Sequence, residues 1–459
     1  MIISPMSKNN IQTRHIDEKT PLMLLMGPMF IEMLLNIIIN NVDQIMLSRY
    51  SDTASGAVGN ANQMMFLMII MFNVIATSTS IIVAQYLGAE KYGIMNTIYS
   101  LAMIVNLVVG IVLSSALVFF RNSIMSLLNV PDSMREDCGM YIIIVGGGLF
   151  LQACYNVMLQ ILRCNGFPKV GMYISITINI INIIGNYIFL YGPLKYMKLG
   201  VAGVGISTVV ARTIALIAAV AYFYYKKIGH ISVKYLRPFP GKMLGDMVKI
   251  GLPSAGENLS YNLYQLVLLS FINSMGEDAT TAKVFCGSIM SFAMVFSNTA
   301  AMATQIIVGH LVGAGKEEAA YKRTFSTLKV TMPITILLAT ANWLLCPYTL
   351  KILFAPSQKV LDLAYYIMAV DIVIEIGRCL NMTFVNSLKA AGDYLFPLIV
   401  GMITMWGLGV TVGYSVGILA GVGISGIYFG TAADEFIRGL IVMRRWRKKK
   451  WLGKAIVKK

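Results

Sequence analysis

Acidic side chains set inside long apolar runs are where this chain could do chemistry. Glu32 and Asp43 interrupt the stretch Met26–Asp43 (MGPMFIEMLLNIIINNVD), which also holds Pro28 and the amides Asn36, Asn40 and Asn41. A charge near the middle of a membrane helix costs about 2.5–3.5 kcal/mol on insertion scales, so an acid kept there points to an ion or substrate path. Neither acid has a basic residue within four positions, and neither does Glu257. A carboxylate left bare in a low dielectric takes up a proton or binds a cation instead. Asp43 is therefore the leading candidate for ion coupling, with Glu32, Asn36 and Glu257 as candidate cavity residues. The competing assignment for each acid is a carboxyl satisfied by Asn or backbone groups, or a helix end in water.

The neighbours such a site needs are also present. Asn179, Asn182 and Asn186 share one apolar run, and Thr208 opens the next; together they could complete an oxygen-rich pocket for Asp43. Pro28 and Pro253 each remove a helical hydrogen bond and crowd the preceding turn, so both helices are expected to kink there. These prolines belong to an internal repeat. Pro253 and Glu257 follow Pro28 and Glu32 by 225 residues, and the same shift carries Asn73 onto Asn298, Thr79 onto Thr304, and Gly88-Ala89 onto Gly313-Ala314. Leu162–Gly166 (LRCNG) is echoed by Leu388–Gly392 (LKAAG), and AGVGIS occurs at Ala202–Ser207 and Ala420–Ser425. Two copies of six spans each enter the membrane the same way, making them parallel repeats.

Composition sets the class. Hydrophobic residues make up 57% of the 459, charged residues only 13%, and the mean hydropathy is +0.71. That describes an all-α membrane protein, its runs being continuous and not alternating as in a barrel. Twelve spans are predicted, near 21–46, 57–85, 95–120, 139–163, 169–192, 200–225, 247–272, 281–310, 325–347, 361–388, 394–417 and 420–443. They imply two pseudo-symmetric six-helix bundles, an N-lobe over 21–225 and a C-lobe over 247–443. A tail over 1–20, a basic linker over 226–246 and a basic tail over 444–459 complete the chain. With both termini in the cytoplasm, that side collects Lys8, Lys91, Arg163, Lys169, the linker bases, Lys316, Lys389 and the C-terminal run. The opposite side keeps Arg49, Arg121, Arg135, Lys195, Lys198, Lys283, Lys351 and Lys359. The net charge of +16 thus reads as topology and lipid contact, with no nucleic-acid partner. Trp446 and Trp451 are expected in the headgroup layer. His15, His230 and His310 show no metal-ligand spacing, and the six cysteines show no CxxC, so no metal site is expected there beyond a Na⁺ at Asp43.

Some intramembrane charges have partners in reach. Glu375 and Arg378 are three apart, and Asp434 and Arg438 four apart, so each pair shares a helix face and is expected as a structural ion pair. Glu375 also stands as a candidate cavity residue. Asp371 lies in the first half of its helix, where partial exposure is expected.

Several of these stretches together resemble the multidrug and toxic compound extrusion (MATE) transporters, over roughly residues 20–450. They are the first span with Pro28 and Asp43, QYLGAEK after the second, LRCNG after the fourth, IGLPSAGEN in the seventh, LKAAGD after the tenth and DEFIRG in the twelfth. The resemblance implies a two-lobe antiporter of the plasma membrane with no cofactor, exchanging H⁺ or Na⁺ for amphipathic organic cations by alternating access. In the branch with a first-helix acid, that acid follows the proline by fifteen positions, as Asp43 follows Pro28. The fifth-helix partners there are Asn and Asp; here they are Asn182 and Asn186, which weakens a Na⁺ site. In another branch an acid follows the seventh-helix proline by eight positions, where this chain has Tyr261. A monomer with small-molecule and lipid partners is expected. The rivals are a lipid-linked saccharide flippase, which should line its cavity with more bases than Arg212 and Arg378, and a membrane-embedded transferase. The latter would need a carboxylate or His cluster at the membrane face, and the loops show none.

Overall fold

The computed structural model describes Arg14, residues 16–193, Tyr196 and residues 199–457, with only the backbone at Asn40 and Asn41. Lys8, His15, Lys195, Lys198 and the side chains of Asn40 and Asn41, all used in the sequence reading, lie outside the described residues. Among the described residues all regular structure is helical. This follows from the solvent: hydrocarbon offers no partner to a backbone N–H or C=O, so a long apolar run must bond to itself.

The chain divides into two compact units, with the boundary between Gly251 and Leu252; residues 16–22 group with the second. The helices up to the boundary are α1 (Leu22–Tyr50), α2 (Asp52–Gly88), α3 (Met95–Phe119), α4 (Arg121–Leu127), α5 (Asp132–Tyr141), α6 (Leu149–Cys164), α7 (Pro168–Leu190) and α8 (Gly200–Tyr225). Helix α9 (Gly241–Asn273) crosses the boundary. Then come α10 (Glu277–Gly313), α11 (Glu317–Phe354), α12 (Gln358–Ala390), α13 (Leu395–Thr404), α14 (Thr411–Tyr414) and α15 (Ile424–Arg447). Each of the twelve predicted spans falls on one of these helices or a joined pair.

Among the described residues, eight helices are long and apolar enough to cross a membrane alone. A ninth crossing joins α5 and α6, bent by 43°, at a π-helical turn and the glycines Gly146, Gly147 and Gly148. The other three expected spans are α9, α12 and α15, which carry Glu257, Glu375 with Arg378, and Asp434 with Arg438. One difference from expectation has a local cause. Helices α10 and α11 reach 37 and 38 residues, because Glu277-Asp278 and Glu317-Glu318 favour the positive N-terminal ends and extend the helices into water. Pro28 and Pro253 lie inside unbroken helices, so each removes its hydrogen bond without ending the helix.

The C-terminal segment packs on the protein itself. Trp446 and Trp451, expected to face lipid headgroups, are buried at 0% and 1% exposure and stack at 4.3 Å with planes 11° apart. The tail's bases find protein acids: Arg445 Nε reaches Asp393 Oδ2 at 2.5 Å, Lys454 Nζ reaches Asp393 Oδ1 at 2.7 Å, and Lys449 Nζ reaches Glu318 Oε2 at 2.7 Å. The tail thus buries two indoles and pairs three of its cations against its own unit.

Small residues set the closest approach in the second unit. Gly409 and Gly413 face Gly430 backbone to backbone, and Gly417 faces Gly426 in the same way. Without a hydrophobic drive between helices in lipid, such close packing is a main source of association. Gly430→Val should therefore push α15 outward and cost about 1–3 kcal/mol, read as a lowered thermal midpoint in detergent. A variant melting with the parent would contradict this packing.

Candidate functional site

In the first unit α7 and α8 close tightly, because Gly185 leaves no side chain against Ser207, whose hydroxyl donates to the Asn182 carbonyl at 3.0 Å. Asn182 and Asn186, one turn apart, then present both amides to α1. Asn186 Nδ2 donates to Asp43 Oδ1 at 2.7 Å. With its oxygen facing the Thr208 hydroxyl at 3.2 Å, Asn182 donates through Nδ2 to Asp43 Oδ1 at 2.8 Å and Oδ2 at 3.2 Å. Side-chain amide orientation follows from the hydrogen bonds it satisfies. Asn186 is fully buried and Asp43 half-buried. Four predicted residues thus meet: Asp43, Asn182, Asn186 and Thr208. Asn179 does not hydrogen-bond to Asp43, and its buried Nδ2 has no hydrogen-bond partner.

Two further residues complete this group. Tyr141, at the end of α5, lies near Thr208 and within the electrostatic reach of Asp43 and Arg212. Arg212, one turn after Thr208 on α8, acts on Asp43 in the same way, and its buried Nη1 has no hydrogen-bond partner. Arg212 was visible as one of only two bases well inside the spans. Nothing in the sequence marked Tyr141.

Two expectations require correction. Glu32 is not bare: Arg163 Nη2 stands 2.7 Å from its Oε1, with the two side chains 8% and 3% exposed. Nor is Glu257, whose Oε2 lies 2.6 Å from Lys389 Nζ. Arg163 and Lys389 had been read as topology signals at span ends, and their partners lie over a hundred residues away. Asn36 is exposed on α1; neither it nor Glu32 is hydrogen-bonded to the Asp43 group.

The second unit holds a different arrangement. Arg378 pairs with Glu375, and Arg438 Nη2 with Asp434 Oδ2 at 2.6 Å, both as expected. These pairs are not self-contained. Glu435 lies 3.4 Å from Arg438 and 4.0 Å from Arg378, and accepts from Asn381 Nδ2 at 2.9 Å. Asp371, expected to be partly exposed, is buried one turn before Glu375. Tyr261 lies in the field of Arg378, Glu435 and Arg438. Three buried carboxyl groups, Glu375, Asp434 and Glu435, therefore share two guanidinium groups across α12 and α15, and Asp371 adds a fourth buried acid one turn away. Same-helix spacing revealed the two pairs, but not the contact between helices that joins them.

The fold and these interior charges define a duplicated, multi-pass membrane protein of transporter type. The sequence pattern described as MatE matches residues 28–188 and 253–415, two copies beginning at Pro28 and Pro253. This chain belongs to the MatE family, the MATE transporters. It is 35% identical over 452 residues to the uncharacterized transporter YisQ of Bacillus subtilis (strain 168), covering 98% of each chain. It is 23% identical to the probable multidrug resistance protein NorM of Idiomarina loihiensis, covering 96% of each. Its fold matches a solved outward-facing multidrug resistance MATE family transporter at a TM-score of 0.86 and 20% identity, over 94% of this chain and 96% of the other. MATE has also been solved in bent and straight conformations, which match at 0.86 and 0.85 with 19% and 20% identity, over 94% of this chain and 95% and 96% of theirs.

The uneven charge count in the second unit gives a signed prediction. Removing one acid relieves repulsion, whereas removing a guanidinium leaves carboxylates buried and uncompensated, at about 3–5 kcal/mol. Glu435→Gln should keep its thermal midpoint near the parent's while Arg438→Gln falls well below it. The reverse order would contradict the shared cluster.

Proposed function

We propose that this chain is a secondary active antiporter that exports amphipathic organic cations across the plasma membrane in exchange for protons, with Asp43 as the coupling group. The observation carrying this reading is the geometry around Asp43: one carboxylate, half-buried on a helix containing a proline, held by neutral groups that tolerate either of its charge states. Taking up a proton removes a buried charge and weakens the hold of Asn182 and Asn186. Helix α1 can then bend at Pro28, shifting the protein toward substrate release. Losing the proton restores both hydrogen bonds. The solved bent and straight forms of MATE support a bending cycle, and relatives named as multidrug resistance proteins support organic substrates.

The same geometry favours H⁺ over Na⁺. A Na⁺ site gathers inward-facing oxygens and excess negative charge. Here two amide N–H groups face Asp43, no second carboxylate is in the group, and Arg212 adds a positive field nearby. Both termini are placed in the cytoplasm by the distribution of Lys and Arg.

Ethidium efflux from proteoliposomes should run on an imposed pH gradient in Na⁺-free buffer and drop to background in Asp43→Asn. Gradient-driven efflux that survives this substitution would sink the coupling role. Asn186→Asp restores a second carboxylate and should make efflux respond to a Na⁺ gradient. A variant indifferent to Na⁺ would contradict the account of ion choice.

A further inference from the structure

The two buried ion pairs corrected above occupy equivalent places in the two repeats. Glu32 and Glu257 each lie one turn beyond a proline, on α1 and α9. Arg163 and Lys389 are each the last residue but one of a helix, α6 and α12. Each base is followed three residues later by a glycine in the left-handed region, Gly166 at φ +83° and Gly392 at φ +91°. A Cβ on Gly166 would collide with Arg14, and one on Gly392 with the Lys454 backbone. The N-terminal segment thus covers this turn in the first unit, and the C-terminal segment covers it in the second.

Each base stands on a fixed support. The end of α6 is tied to α2 through Cys164 Sγ and the Ser80 carbonyl at 3.3 Å, and to α3 through Asn165 Nδ2 and Tyr99 Oη at 3.0 Å. The end of α12 is tied to α11 through Thr324 and Ser387 hydroxyls at 3.1 Å. The acid, by contrast, rides on the helix that holds the proline. With a rise of about 1.5 Å per residue, Glu32 lies about 6 Å beyond Pro28 and Asp43 about 22 Å beyond it. A kink of about 20° would carry Asp43 about 8 Å and Glu32 about 2 Å. The smaller shift already exceeds what a 2.7 Å ion pair can absorb as a hydrogen bond.

We propose that Arg163 and Lys389 are positioning residues: each braces the proline-bearing helix of its unit one turn past the proline, so that a bend there has to stretch or break a buried ion pair. Buried pairs contribute little net stability against an apolar replacement, so stability alone does not account for having one in both repeats. The brace instead resists intermediate bends and separates two helix positions. This inference rests on the proposed bending of α1 but is read without any transport.

Hydrogen exchange of the full-length protein in nanodiscs tests it, using Glu32→Gln/Arg163→Met, which removes both charges, and Arg163→Lys, which keeps one of each. The double variant should keep its thermal midpoint near the parent's, while amides over residues 24–34 exchange faster by about tenfold, a local opening. Efflux turnover should fall at unchanged KM, and Arg163→Lys should restore both readouts. Parent-like exchange over residues 24–34 in the folded double variant would overturn the brace. Should that variant not fold, Glu257→Gln/Lys389→Met gives the same readout over residues 249–259 of α9, and parent-like exchange there overturns it equally. A parent protein showing no gradient-driven efflux would count against antiport alone, because exchange is measured without a gradient.

Discussion

The cost of holding a charge away from water governs this protein. Most of the acids described inside the spans are paired, shared or placed among amides. Glu32 and Glu257 each have one base of their own. Glu375, Asp434 and Glu435 divide two guanidinium groups among them, with Asp371 buried one turn before Glu375. Asp43 alone is met chiefly by neutral donors, Asn182 and Asn186. A carboxylate with a full ionic partner is committed to its charge, whereas one held by amides can lose the charge and keep its surroundings. This difference in partners, more than depth in the membrane, is why Asp43 suits a cycle of protonation and the paired acids suit a frame.

Comparison of the repeats separates mechanics from chemistry. Both keep the proline, the acid one turn on, the distant base and the covered glycine turn. The coupling carboxylate is not shared: 225 residues after Asp43 the chain has Leu268, buried in the apolar core of the second unit. The second unit instead concentrates its acids on α12 and α15. What the two repeats share is a proline-bearing helix ion-paired one turn past the proline, and what differs is the residue at the position of Asp43.

The sequence was informative wherever the signal was local. Continuous apolar runs located all twelve crossings, because hydrocarbon leaves an apolar segment no alternative to a helix. The constant shift of 225 exposed the duplication, and the i, i+3 and i, i+4 spacings revealed the pairs on α12 and α15. Asp43, Asn182, Asn186 and Thr208 could be grouped because polar side chains are scarce in apolar runs and an unpartnered acid needs them, although Asn179, grouped with them, does not hydrogen-bond to Asp43. What stayed hidden depended on contacts between helices far apart in sequence. Glu32 and Arg163 are 131 residues apart, so a scan of four residues on either side made an ion-paired acid look bare. Tyr141 gave no signal, since an aromatic residue in an apolar run usually indicates packing. Trp446 and Trp451 were assigned to the interface from amphipathic character, whereas the fold brings them face to face and buries them.

Proton release on substrate binding tests the central claim most directly. Purified protein in weakly buffered detergent solution, mixed with ethidium beside a pH indicator, should release protons from the parent and none from Asp43→Asn, with both binding the dye. Equal release from the two proteins, or none from the parent, would contradict Asp43 as the group exchanging a proton for substrate.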